Sequence, residues 1–214
     1  MQEPMSRKRT PPTPAVKRLS LYLRQLQQLA EQKIEKVSSG ELARHLGLSD
    51  AQVRKDLGYF GQFGRRGVGY HVRALIEQLR QILGTDKAWN VVLVGAGDLG
   101  RALIRYRGFR QKGFRFVAAF DVASSKIGKR VGNVTIRGID ELEQVVRRYR
   151  VRLAVVTVPT QAAQQVTDRL CGAGVTGILN FAPITLRVNG RVTVGPVDLA
   201  AQLEQLCFRA GGGA

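Results

Sequence analysis

Hydrophobic residues recur along this chain with two different periods, and the change of period divides it. From Pro14–Ala15 to about Gln32, the apolar residues Val16, Leu19, Leu23, Leu26 and Leu29 return every three or four positions. That spacing predicts a helix with one apolar face. Ser38-Ser39-Gly40-Glu41 reads as a capping box opening a second helix. Leu42, Ala43 and Leu46 form its buried face, and Gly47 permits the turn that ends it. Ser49-Asp50-Ala51-Gln52 is a second box, opening a third helix from Asp50 to about Phe60. Two short helices joined by a glycine-containing turn have helix-turn-helix spacing. The stretch Gly61–Tyr70 holds four glycines and adjacent Arg65 and Arg66, a pattern that predicts a tight β-hairpin, or wing. A fourth helix, about Val72–Leu83, follows and ends at Gly84.

From Trp89 onward the texture changes. Asn90–Val94, Arg115–Asp121, Leu153–Val158 and Gly177–Asn180 read as strands. Asp98–Arg107, Asp140–Arg148 and Thr160–Ala173 read as helices between them. This alternation predicts an α/β fold with a parallel sheet covered by helices. Asn189-Gly190 separates two short alternating runs and suggests a late hairpin. Asp198–Phe208 is a final helix with Leu199, Leu203 and Leu206 on one face. The expected organisation is a disordered, proline-rich arm over 1–14 and a winged-helix domain over 15–85. A Rossmann-type domain over 86–197 follows, then a helix and tail over 198–214.

Charge and composition narrow the partners. The 214 residues carry 34 Lys and Arg against 16 Asp and Glu, a net +18. Residues 1–85 hold 15 basic and 7 acidic residues and residues 86–214 hold 19 and 9, so the excess is spread over both halves. Such a field favours a polyanion. The longest apolar run, Val151–Pro159, contains Arg152 and is far short of the ~18 residues that span a bilayer. A membrane role is not expected, and Met1–Pro14 lacks the apolar core of a signal peptide. The two cysteines, Cys171 and Cys207, lack metal-ligand spacing, fit a reducing cytoplasm and read as small buried hydrophobes.

Two stretches carry the candidate chemistry. In the third helix Val53, Leu57 and Phe60 are spaced to pack inward, leaving Gln52, Arg54, Lys55 and Asp56 mostly outward. Gln suits adenine, Arg suits guanine and Lys suits phosphate, so this is a candidate recognition helix for duplex DNA. Arg65 and Arg66 would reach a narrow minor groove from the wing tip. In the second half, Val91-Val92-Leu93-Val94-Gly95-Ala96-Gly97-Asp98-Leu99-Gly100 places G-x-G-x-x-G between a strand and a helix. Gly95 serves the tight turn, Gly97 the approach of a pyrophosphate, and Gly100 close helix–strand packing. A second strand ends in Asp121, 24 residues after Gly97, where a carboxylate binds ribose hydroxyls and disfavours a 2′-phosphate. NAD(H) is therefore favoured over NADP(H), with nearby Lys126 pulling the other way. Thr157-Val158-Pro159 and Asn180-Phe181 end later strands and are candidates for the nicotinamide half of the pocket.

No nucleophile elbow, metal cluster or carboxylate pair stands out, and the two histidines, His45 and His71, both fall in the first half. The cofactor therefore reads as sensed rather than consumed. Two alternatives stay open: an NAD(H)-dependent oxidoreductase with a DNA-binding appendage, and a CoA-binding regulatory domain.

The stretches Gln52–Gly61, Arg66–Tyr70, Gly95–Gly100, Phe120-Asp121-Val122, Thr157-Val158-Pro159, Asn180–Pro183 and Val197-Asp198-Leu199 together resemble the Rex family of redox-sensing repressors. The resemblance covers about Val16 to Phe208. It implies a homodimer bound to an inverted-repeat operator while NADH is low and released when NADH binds, with NAD+ binding more weakly. It adds Ser49 and Tyr70 to the DNA-contacting set, and Ala96, Asp98, Leu99 and Val122 to the cofactor-contacting set. It implies that the C-terminal helix is exchanged between subunits. It also implies a switch of alternative contacts among Arg24, Tyr106 and Asp198. The sequence departs from the family's usual pattern at Arg107, often Pro, at Ala123-Ser124-Ser125, usually more acidic, and at Arg65.

Overall fold

Short-range signals set the first helices. The computed structural model describes residues 11–64 and 67–211. These belong to two units, Met1–Lys87 and Ala88–Ala214. In the first, α1 (Thr13–Glu31) begins with proline in its opening turn, where the missing N–H costs nothing. Thr13 and Pro14 thus belong to the helix and Pro12 is its N-cap; of the expected arm, Met1–Thr10 lie outside the described residues. β1 (Lys36–Val37) leads to α2 (Ser39–Leu46), which carries the complete capping box between Ser38 and Glu41. α3 (Asp50–Gly58) starts at Ser49, whose hydroxyl accepts from the Gln52 N–H. Here only half the box forms, because the Gln52 side chain turns instead to Asp56.

The expected hairpin takes a different form. β2 (Tyr70–His71) pairs antiparallel with β1, so the small sheet joins segments on either side of α2 and α3. The described residues between Gly61 and Gly69 form no strand. The strand that Tyr70 needs is supplied by Lys36–Val37, a two-residue element too short to show a period. Arg65 and Arg66 lie outside the described residues. α4 (Val72–Ile82) completes the unit. The predicted Val16 stripe is shifted: α1 buries Ala15, Leu19, Tyr22, Leu26 and Leu29, while Val16 is exposed. Tyr22 belongs to the stripe because its hydroxyl has a buried partner.

That partner is Asp56, which points inward, contrary to the outward position expected of it, and is fully buried. Its carboxylate accepts from the Arg18 guanidinium at 2.5 and 2.8 Å and from the Tyr22 hydroxyl at 2.6 Å. Burial pushes the Asp56 carboxyl up, but the hydrogen bonds from Arg18, Tyr22 and Gln52 outweigh it and hold it below the usual carboxylate range. The Asp56 hydrogen bond raises Arg18, and burial followed by the Asp56 bond raises Tyr22.

The second unit is a sheet built on alternation of strand and helix. In chain order it runs β3 (Trp89–Val94), α5 (Asp98–Arg105), α6 (Arg107–Gln111) and β4 (Phe114–Asp121). β5 (Arg130–Val131), β6 (Val134–Gly138), α7 (Leu142–Arg148) and β7 (Leu153–Val156) follow, the last two linked through Val151. The chain ends with α8 (Thr160–Ala173), β8 (Gly177–Asn180), β9 (Thr193–Pro196) and α9 (Leu199–Ala210). Spatial order is β5-β6-β4-β3-β7-β8-β9, parallel throughout except β5 against β6. The expected late hairpin does not form: Asn189 makes a turn, but β9 adds as a parallel edge beside β8. Alternate residues of β3 face opposite sides. Val92 and Val94 pack with Leu142, Val145 and Leu170 of α7 and α8, and Val91 and Leu93 pack with Leu103 and Ile104 of α5.

One helix expected over Asp98–Arg107 is two, because Tyr106 adopts an extended conformation between them. Its ring stacks edge-on to Phe109 at 5.3 Å and covers Gly108, where a Cβ would collide with it. Arg107 stands at the first position of α6, a place where proline's fixed φ is well tolerated. α9 is capped by Asp198 and has no buried residue. Cys207 on it is exposed rather than buried, while Cys171 is half-buried and burial pushes its thiol up.

The Asp56 pairing yields a direct expectation. Asp56→Ala leaves Arg18 and Tyr22 facing an empty site and should destabilise the first unit by about 3 kcal/mol in urea titration at neutral pH. Because the folded pKa lies below the unfolded value of about 3.9, the contribution is in full force above that value. It is lost as pH falls through the folded pKa, so the gap between variant and parent should narrow on acidification below pH ~4.

Candidate nucleic-acid interface and nucleotide site

The first unit presents α3 beside the segment that leads to β2. Val53 and Leu57 are buried, and Arg54 and Lys55 are exposed, as their spacing requires. Arg54 bonds to Asp50 at 2.5 Å and to the Ser39 hydroxyl at 3.2 Å, which ties α3 to the start of α2. Both partners of the ion pair are about half exposed, so it opens at little cost. The Arg54 hydrogen bond draws the Asp50 carboxyl below its ordinary range. A groove of about 580 Å³ lies between Arg54, Ser38, Ser39, Gly69 and Tyr70. Tyr70 packs under this segment: a Cβ at Gly64 would meet its ring and the Gly69 carbonyl. Burial raises its phenol, so it stays a hydrogen-bond donor. Ser49 thus caps the short helix that carries Gln52, Arg54 and Lys55, with Tyr70 near Arg54. The Arg18–Tyr22–Asp56 cluster was missed. Its signal is the position of Asp56, three residues after Val53 and therefore within the buried stripe of α3.

In the second unit, the strand ends bring the separated motifs to one edge. Val94, Phe120, Val156 and Asn180 stand in register across β4, β3, β7 and β8. The next residues, Gly95, Asp121, Thr157 and Phe181, therefore line the carboxyl edge where the sheet order reverses at β3. Open α/β sheets bind their ligands there. Gly95 has φ +100°, and a Cβ on it would meet the Thr157 carbonyl at 2.6 Å. A Cβ on Gly100 would collide with the Gly95 carbonyl and meet Leu93 and Thr157 at 3.0 Å. The Thr157 hydroxyl donates to the Val94 and Gly95 carbonyls at 3.2 and 2.8 Å, sewing β7 to the glycine turn.

This edge fits a dinucleotide. α5 starts at Gly97 with no side-chain cap, and open space lies where a Gly97 Cβ would stand. The N–H groups of its first turn are thus available to a pyrophosphate. Asp98 points to solvent and pairs with Arg101, and Leu99 is exposed at the helix start. Asp121 is buried at the end of β4. It accepts from the N–H groups of Ala96 and Ala123 at 2.9 Å and from Lys126 Nζ at 2.8 Å. Burial raises its carboxyl, but Lys126 and the two backbone bonds prevail and hold it low and ionised. Lys126 is thus a partner of Asp121 rather than a free cation. Val122 is 80 % exposed, an apolar surface immediately beyond the carboxylate and suited to an adenine face.

The remaining expected residues divide. Thr157, Val158 and Pro159 bridge β7 and α8 at the same edge. The Asn180 side chain is buried and fully engaged, donating to the Ala182 and Ile184 carbonyls and accepting from the Ala182 N–H, each at 3.0 Å. It shapes the loop holding Phe181. A cavity of about 380 Å³ lies between that loop and Val194, Pro196 and Asp198. Asp198 accepts from the Ala201 N–H at 2.9 Å as the cap of α9. Tyr106, in the same unit, is exposed. Arg24 lies exposed on α1 in the other unit.

Comparison with known proteins agrees with both halves. Residues 12–58 match the family described as "Putative DNA-binding protein N-terminus", and residues 86–184 match "CoA binding domain". The "Redox-sensing transcriptional repressor Rex" of Carboxydothermus hydrogenoformans is 49% identical over 197 residues, 92% of this chain and 95% of that protein. The protein of the same name from Desulforamulus reducens is 47% identical over 92% of this chain and 94% of its own. Among solved structures, RSP in complex with beta-NAD+ and operator DNA matches with a TM-score of 0.92 and 33% identity. That match covers 96% of this chain and 94% of RSP. RSP in complex with beta-NADH matches at 0.86 and 32%, over 94% of this chain and 95% of RSP. With identity this high over nearly its full length, the chain belongs to the Rex family of redox-sensing transcriptional repressors.

Proposed function

We propose that this chain is a homodimeric, cytoplasmic repressor that binds an inverted-repeat operator when NADH is scarce and leaves it when NADH binds. The observation that carries this reading is the pairing, in one chain, of a helix-turn-helix unit exposing Arg54 and Lys55 with an uncapped dinucleotide cradle ending in Asp121. RSP, which matches along nearly the whole chain, is described with NAD+ and operator DNA and with NADH.

In this reading Gln52 and Arg54 meet base edges, Ser49, Lys55 and Tyr70 meet the backbone, and Arg65 and Arg66 reach the minor groove. Gly95, Ala96, Gly97, Asp98, Leu99 and Gly100 hold the pyrophosphate. Asp121 takes the ribose hydroxyls, Val122 supports adenine, and Thr157, Val158, Pro159 and Phe181 border the nicotinamide, with Asn180 shaping the loop. α9 exposes Leu199, Leu203, Leu206 and Phe208, each between 57 and 70 % accessible, and docks on a second copy. Arg24, Tyr106 and Asp198 exchange contacts between the two states. The physical logic is linkage: a dimer must place two recognition helices one helical turn of DNA, or a multiple, apart. A ligand that favours another spacing weakens DNA binding by its differential affinity for the two states.

Fluorescence anisotropy of an inverted-repeat duplex at fixed salt tests this, since salt alone moves such affinities by orders of magnitude. NADH should release the duplex and NAD+ should largely spare it; indifference to both would overturn the reading. Arg54→Ala should weaken operator binding roughly tenfold or more, with NADH binding unchanged in a direct titration. Asp121→Ala should raise the NADH concentration needed for release about tenfold or more, the worth of a charge-assisted hydrogen bond. Deleting the chain from Leu199 onward should halve the molar mass measured by light scattering and weaken operator binding.

A further inference from the structure

Gln52 is not a free side chain on an exposed helix. Its backbone N–H is held by the Ser49 hydroxyl at 3.1 Å, and its side-chain amide donates to Asp56 Oδ1 at 2.7 Å. The same carboxylate takes two bonds from Arg18 and one from Tyr22. A carboxylate has about four acceptor sites, so four donors saturate it. Asp56 is fully buried and Gln52 half-buried. An ionised carboxylate accepts only, so the NH2 end of the Gln52 amide must face it. The carbonyl Oε1 is then directed away from Asp56.

We propose that Asp56 is a positioning residue for sequence readout: it fixes the polarity of the Gln52 amide so that Oε1 is presented to the base. This rests on the proposed role of α3 in the major groove. An acceptor there pairs with an exocyclic amino group, N6 of adenine or N4 of cytosine. It faces O6 of guanine or O4 of thymine as acceptor against acceptor. The remaining Gln52 N–H adds a second bond only to a neighbouring acceptor such as N7 of adenine. A glutamine free to rotate its amide would accept either class of base at little cost. The Arg18–Asp56 pair thus acts on specificity from the buried side of the helix, without touching DNA.

The test uses the full chain and inverted-repeat duplexes that it selects from a random pool. Each half-site position is varied through the four base pairs and affinities are compared at fixed salt without NADH. The parent should show one position at which adenine or cytosine is favoured over guanine or thymine by about tenfold. Gln52→Ala should lose that preference and keep the others. Asp56→Asn, whose amide can face Gln52 with either end, should lose or reverse the preference at the same position. In the double variant the Asp56→Asn substitution should have no further effect there, as coupling through Gln52 requires. Should Asp56→Asn impair folding, Arg18→Met combined with Asp56→Asn carries the same test without an unpaired charge. NADH titration confirms that the second unit is intact.

An equal loss of affinity by Asp56→Asn for every duplex would overturn the proposal, because it would mark a purely structural role. So would an unchanged preference in Gln52→Ala. Failure of the parent chain to select any duplex would instead sink the DNA-binding reading on which this rests.

Discussion

At Gly95 and Gly100 three pieces of backbone meet in a space that excludes a Cβ: the turn after β3, the first turn of α5 and the end of β7. This closure lies where the sheet order reverses, and the nucleotide edge depends on it. Thr157 holds the turn from one side through its hydroxyl, and Asp121 holds it from the other through the Ala96 N–H. Strands β4, β3 and β7 therefore fix the position of the α5 N-terminus. Moving that terminus by the width of a methyl group would withdraw its N–H groups from the place where a pyrophosphate would lie.

The two units rely on the same electrostatic device. Each contains a buried aspartate whose desolvation is outweighed by convergent donors, Arg18, Tyr22 and Gln52 around Asp56, and Ala96, Ala123 and Lys126 around Asp121. Neither carboxylate is a loose surface charge in a chain of net +18. Each binds together elements far apart in sequence, α1 with α3 in one case and the glycine turn with the end of β4 in the other. Removing such an acid leaves partners buried and unsatisfied, which is why its loss costs more than its bonds contribute.

The sequence was most legible where the determining forces are local. The caps at Ser38 and Ser49 and the helix start that follows the glycine turn after β3 depend on neighbours a few residues away. Parallel order follows from the alternation of strand and helix. What was hidden depends on distant partners. Asp56 looked like solvent-facing charge until Arg18, 38 residues earlier, supplied its counter-ion. β1 and β5 are two residues each and carry no period. β6 and β9 owe their existence to sheet edges: β6 pairs along β4, and Asn189-Gly190 makes a turn but not a hairpin because β8 offers its edge to Thr193–Pro196. The break at Tyr106 is an extended residue between α5 and α6, whose ring lies over Gly108.

α9 has twelve residues and buries none of them. A helix of that length is marginal in water on its own, because nucleation is costly and few hydrogen bonds follow it. Its order is therefore set by whatever covers Leu199, Leu203, Leu206 and Phe208. Where the cover is another molecule of the same chain, folding of this segment and association become a single equilibrium. The helical content of the C-terminus would then rise with protein concentration, and dilution would act on it as a mild denaturant.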